Sequence, residues 1–291
     1  MDTTQENTTR GRVARQLVRP IALAFVFTMP GFLLRLLFSV ALDLDISRLA
    51  ASVLNFGLAA IGALIIFPRA LKQPFGHAPL GRAVSLAEHT RRLGLYLPTN
   101  AWRHIALGVV LALCTLGGML AASLTTGRYV IDWANVPFDH VIFSLNPGVW
   151  EEVFFRGIIM LALLRYGVDL KRAALIQILL FGASHIKGVG LWDWVDVISV
   201  ILIGTALTYT ARKTRTLVAP IVFHTIHDTF LFFVQAPASD TAGAWEHVLF
   251  FAALWLMLGV ACLLTRFAAD RLGVRAEEPL YEAAEVGGSG E

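Results

Sequence analysis

Residues 139–164 read Asp-His-Val-Ile-Phe-Ser-Leu-Asn-Pro-Gly-Val-Trp-Glu-Glu-Val-Phe-Phe-Arg-Gly-Ile-Ile-Met-Leu-Ala-Leu-Leu. The stretch is long and apolar enough to cross a hydrocarbon layer, which takes about 20 residues of helix. Yet Glu151, Glu152 and Arg156 stand in its middle. An ionised side chain at membrane depth costs about 2.5–3.5 kcal/mol on insertion scales. A chain that keeps two carboxylates side by side there is expected to use at least one for chemistry.

The rest of the chain has the same character. Of its 291 residues, 56% are hydrophobic and 15% charged, against about 25% charged in a soluble domain. The mean hydropathy is +0.66. These values place the chain among membrane proteins. The net charge of +3 does not call for a nucleic-acid partner, because basic cytoplasmic loops give the same balance. Cys114 and Cys262 both lie in apolar runs and read as small buried residues, with no disulfide framework or Cys-rich zinc site. Residues 1–18 are mostly polar and carry Arg10, Arg12 and Arg15. The apolar run after them exceeds the roughly 7–15 residues of a signal h-region, so it reads as a first transmembrane helix.

Eight candidate spans follow: about 20–42, 49–68, 104–124, 139–164, 172–186, 194–211, 216–235 and 245–266. The expected fold class is therefore all-α, a polytopic membrane helix bundle of about eight transmembrane helices. Residues 1–19 form a cytoplasmic tail. Residues 20–103 hold two helices and a basic connection, with an amphipathic interfacial helix around 80–93. Residues 104–266 form the core, and 267–291 a tail expected to be disordered, since it carries five glutamates from 276 onward and ends Gly-Gly-Ser-Gly-Glu. Orientation follows from the loops. Arg69, Lys72, Arg165, Lys171, Arg172, Arg212, Lys213, Arg266 and Arg271 fall in every second connection. The alternate loops are poorer in basic residues and contain Asp43, Asp132, Asp193 and Asp240. An integral cell-membrane (inner-membrane) protein with both termini cytoplasmic fits this alternation.

Three polar clusters interrupt the apolar spans. In the first, Glu152 and Arg156 are one α-helical turn apart and are expected to pair. Glu151 is rotated from Glu152 by about 100° and is left to act on a ligand or water. The alternative is that all three are interfacial residues near a helix mouth, which Pro147 and Gly148 allow. The second cluster is Phe181-Gly-Ala-Ser-His185, where a histidine closes a run of small and apolar residues. The third is His224-Thr-Ile-His227-Asp228. His224 and Asp228 share a helix face, and His227 lies beside it. Such groups mark either a functional cavity or a network of hydrogen bonds between helices. Together they offer what hydrolysis needs, a base for water and donors for an oxyanion. The sequence has no Gly-x-Ser-x-Gly and no His-Glu-x-x-His, which disfavours a serine nucleophile and that zinc motif.

Glu-Glu-x-x-x-Arg at 151–156, Phe-x-x-x-His at 181–185 and His-x-x-x-Asp at 224–228, in this order on apolar helices, resemble the CPBP family. Its members are also called type II CAAX prenyl endopeptidases, bacteriocin-processing or Abi proteins. The resemblance implies an intramembrane protease acting on a membrane-associated protein or peptide. It implies catalytic roles for Glu151 (base for water), His185, His224 and Asp228 (oxyanion pair), with Glu152, Arg156, Phe181 and His227 in support. Many members have Asn where this chain has Asp228, and an ionised Asp cannot donate to an oxyanion. Asp228 is then left to orient His224, to act protonated, or to help hold a metal. No cofactor is certain. Zn2+ is possible, and its ligands would be Glu151, His185, His224 and Asp228. Two other functions compete: a non-enzymatic membrane scaffold or immunity protein using the same polar cavity, and a proton-coupled transporter.

Overall fold

The computed structural model describes residues 57, 90–91, 93–126, 130–131, 138–165, 168–186, 188–231, 234–235, 244–276 and 280–281. The first expected span, the second apart from Gly57, and most of the 80–93 helix lie outside these residues. The described helices are α1 (Ala101–Thr126), α2 (Phe138–Glu151), a π-helical segment (Glu152–Ile159), α3 (Met160–Arg165), α4 (Leu170–Ala183), α5 (Leu191–Thr214), α6 (Val218–Leu231) and α7 (Ala244–Arg271). A two-residue antiparallel pair, β1 (Val130–Ile131) with β2 (Val234–Gln235), is the only sheet among the described residues.

The all-α class stands. Three described helices are long and apolar enough to cross a membrane: Ala101–Thr125, Asp193–Thr214 and Val248–Arg271. The chain is an integral membrane protein. The expected spans at 172–186 and 216–235 shrink to α4 and α6, each of 14 residues. Apolar runs were read as whole spans, but the chain leaves the helix at Ser184 in one case and after Leu231 in the other. The expected span at 139–164 is a helix of three parts, with α2 and α3 flanking the π segment.

The described chain forms two compact units. In the first, Val153, Phe154, Ile158, Ile159, Met160 and Leu163 are buried, so this stretch is enclosed on nearly every side. Phe154 and Phe155 pack edge to face at 5.1 Å. Leu280 and Tyr281 are buried in the same unit.

The second unit packs α6 against α1, α2 and α5, and α7 against α1 and α5. Its core includes Leu107, Leu111 and Met119 of α1, Leu207 of α5, Phe223 of α6, and Leu254 and Leu258 of α7. The opposite faces expose Trp102, Leu113, Leu124, Trp245, Leu256, Leu263 and Phe267. In water such a surface would aggregate, whereas in lipid it is the expected exterior. Helices approach closely where side chains are small. A Cβ on Gly108 would lie 2.7 Å from the Ala219 carbonyl and the Val222 Cβ. Polar links add register: Trp255 Nε1 donates to Ser199 Oγ at 2.9 Å, and Thr210 and Thr265 hydroxyls meet at 3.2 Å.

At one end of this unit Asp270 accepts from Arg275 Nη2 at 2.9 Å and lies 3.7 Å from Arg266 and 3.9 Å from Lys213. Arg103 Nη1 donates to the Leu272 carbonyl at 3.1 Å. The expected disordered tail from 267 needs correcting in part. α7 continues to Arg271, Val274 and Ala276 are buried, and the Ala276 amide donates to the Thr214 carbonyl at 2.9 Å. Apolar side chains within the acidic tail provide the packing that its overall composition conceals.

Candidate active site

The site begins with the crossing of α2 and α6. Ser144 and Thr229 share a hydrogen bond between hydroxyls. One turn along, Gly148 faces Thr225, whose Cα and backbone N would lie 2.7 Å from a Cβ at 148. The helices run antiparallel, so the next turn of each brings Glu151 and Glu152 to His224.

Two carboxylates approach that imidazole from opposite sides. Glu152 Oε1 is 2.8 Å from His224 Nδ1. Glu151 Oε2 is 3.9 Å from His224 Nε2 and 3.9 Å from His185 Nε2. Asp228 Oδ2 is 3.5 Å from His224 Nε2, one turn away on α6. Glu152 thus contacts His224, a partner the α-helical spacing does not suggest. The helix passes from α to π at this point. A π turn bonds i to i+5, so it holds more residues and a smaller rotation per residue. Neighbouring side chains diverge less, which suits two adjacent glutamates converging on one ring. Arg156 is fully buried, and its carbonyl accepts the Tyr281 hydroxyl at 2.9 Å.

His185 sits just beyond the end of α4. Its Nδ1 is 2.9 Å from the Phe181 carbonyl, one of the terminal carbonyls the helix leaves open. The Nδ1–H donates there, which turns Nε2 toward Glu151. The Phe181 ring packs edge-on between the two histidines, 4.9 Å from His185 and 6.0 Å from His224. His227 is buried and packs on Phe223 at 6.2 Å. It does not join the contacts that link Glu151, Glu152, His185, His224 and Asp228.

Exposure grades across the site. The side chains of Glu151, His185 and Asp228 are 27%, 29% and 23% exposed, whereas His224 is 5% and Glu152 is fully enclosed. An enclosed pair, His224 and Glu152, therefore carries a partly exposed rim of Glu151, His185 and Asp228. The 3.9 Å separations are too long for direct hydrogen bonds and suit a bridging water.

Two imidazoles and two carboxylates are a donor set zinc accepts. Among the described residues, though, no three His, Cys, Asp or Glu side chains gather so as to hold a metal ion.

The Ser144–Thr229 and Gly148–Thr225 contacts were not singled out from sequence. Their signal was present: Ser144-x-x-x-Gly148 and Thr225-x-x-x-Thr229 are both small residues four apart on apolar helices, the spacing of close helix crossings. Tyr281 left no comparable signal.

Residues 133–230 match the model of the type II CAAX prenyl endopeptidase Rce1-like family. The matched stretch holds all three motifs, so the resemblance to the CPBP family stands. No curated protein and no solved structure matches the chain.

Proposed function

We propose that the chain is an intramembrane endopeptidase that hydrolyses a peptide bond of a membrane-associated protein or peptide. The observation that carries the reading is Glu151 Oε2 standing 3.9 Å from Nε2 of both His185 and His224. A water between Glu151 and His185 donates one hydrogen bond to the carboxylate and one to the imidazole, whose Nδ1–H is already committed to Phe181. Its free lone pair attacks the scissile carbonyl carbon. Glu151 takes the proton and returns it to the leaving amine, so one water is consumed and one acid and one amine are formed.

The developing oxyanion meets His224. With Nδ1–H held by Glu152, His224 offers an Nε2–H only as the imidazolium. Glu152 and Asp228 flank that ring, so Asp228 orients His224 rather than binding the oxyanion itself. One donor of this kind is worth about 10²–10³ in rate. Membrane topology has both termini cytoplasmic. The convergence of Arg103, Lys213, Arg266 and Arg275 at one end of the second unit supports that assignment through the positive-inside rule.

The test is cleavage of a peptide presented in proteoliposomes. Glu151→Ala, His185→Ala and His224→Ala each abolish it while the proteins accumulate normally. Cleavage at the native rate in all three sinks the reading.

A further inference from the structure

The eight-residue π segment Glu152–Ile159 is unusual. Such turns are rare and occur mostly as single bulges. Where π returns to α at Met160, the hydrogen-bond ladder changes register by one residue, and a helix left to itself relaxes toward the α ladder along its whole length. Something outside the helix must favour the π register.

The C-terminal stretch supplies a candidate. Tyr281 is 125 positions away from Arg156 in sequence, is buried, and donates its hydroxyl to the Arg156 carbonyl at 2.9 Å. Leu280 beside it is buried too. Both belong to the same compact unit as Val153–Gln177. The acceptor is a main-chain carbonyl inside the π segment, four residues after Glu152 in one continuous helix. A donor placed there competes with the intrahelical amides for that oxygen and weights the ladder that leaves room for it. The aromatic ring and the leucine side chain meanwhile bury apolar surface that anchors an otherwise acidic tail.

We infer that Leu280 and Tyr281 form a C-terminal clip that holds this helix in its π register, and that Tyr281 is a positioning residue for Glu152. The second half rests on the peptidase reading. The first half does not. The clip makes the tail a determinant of the site: if Tyr281 is lost, Glu152 rotates away from His224 Nδ1.

The test uses the full-length protein in detergent or nanodiscs, with Tyr281→Phe and a truncation after Ala276. Hydrogen exchange read by mass spectrometry on the peptide covering 153–165 reports the clip without reference to activity. Losing one buried hydrogen bond raises its exchange by about fivefold to tenfold, and leaves the α1 peptide unchanged. Cleavage kinetics report positioning: kcat falls about tenfold with KM unchanged. In the double variant, Glu152→Gln with Tyr281→Phe is no slower than Glu152→Gln alone, because both act through one contact. Unchanged exchange in both tail variants overturns the clip. Raised exchange with native kcat, or additive effects in the double variant, overturns the positioning role. If the native protein cleaves no peptide offered, the peptidase reading fails and the exchange result still decides the clip.

Discussion

Gly148→Ala places one methyl group into the α2–α6 crossing. The new Cβ would sit 2.7 Å from Thr225 Cα and from its backbone N. Those are main-chain atoms, so no rotamer change relieves the clash. Ordinary contact begins near 3.4 Å, and the helices must part by about 0.7 Å. Overpacking of this kind costs about 1–3 kcal/mol. The consequence for the site follows from distance. Glu151 and Glu152 lie within four residues of Gly148, and Glu152 Oε1 is 2.8 Å from His224 Nδ1. A shift of about 0.7 Å stretches that contact toward the limit of a hydrogen bond. Misplacement on the order of 1 Å lowers catalysis by about 10²-fold. Peptide cleavage in proteoliposomes therefore falls by about two orders of magnitude, while thermal unfolding in detergent shifts down by only a few degrees. Thr225→Ala in the same protein does not restore the rate, since the Cα and N remain. Native cleavage by Gly148→Ala would refute the claim that this crossing sets the carboxylates against His224.

Glu152→Gln removes the charged acceptor of His224 Nδ1 but keeps its shape. The rate falls at least tenfold, KM is unchanged, and the stability loss exceeds that of Glu151→Gln because Glu152 is the fully enclosed member of the pair. On the reading in which Glu151 alone activates the water, treatment with 1,10-phenanthroline leaves cleavage unchanged; inhibition reversed by added zinc contradicts that reading and assigns Glu151, His185, His224 and Asp228 as the ligands to test. Trp255→Phe deletes the Nε1 bond to Ser199 and costs about 1 kcal/mol of stability, read as a lower unfolding temperature with cleavage intact.

The helices of the core were legible because apolar runs and their breaks are written directly in composition. The run at 104–124 becomes Ala101–Thr126, and 194–211 becomes Leu191–Thr214. Run length is a poorer guide where polar residues interrupt. Ser184 and His185 end α4 within what reads as a span, and the histidine gains a helix-terminal carbonyl as its partner. The motif residues Glu151, His185, His224 and Asp228 come together in space, although sequence alone set no distances. The Glu152–His224 contact was not legible. Glu152 opens the π segment, and hydrophobic periodicity over eight buried residues does not reveal where such a segment begins. The Tyr281 contact was hidden for a different reason: a single tyrosine in a run rich in glutamate reads as solvated, and only its neighbours in space say otherwise.

The shortness of α4 and α6 bears on the bilayer. Fourteen residues reach about 21 Å at 1.5 Å each, against a hydrocarbon thickness of about 30 Å. The helices α1, α5 and α7, with 26, 24 and 28 residues, exceed it. Where a short helix meets lipid matched to the long ones, the hydrophobic mismatch would be met by local thinning of the membrane or by hydration of the gap. Either response would bring solvent nearer the end of α4, beyond which His185 sits. On the peptidase reading a water is consumed at every turnover, and unequal helix length would then serve as a supply route for one of the two reactants.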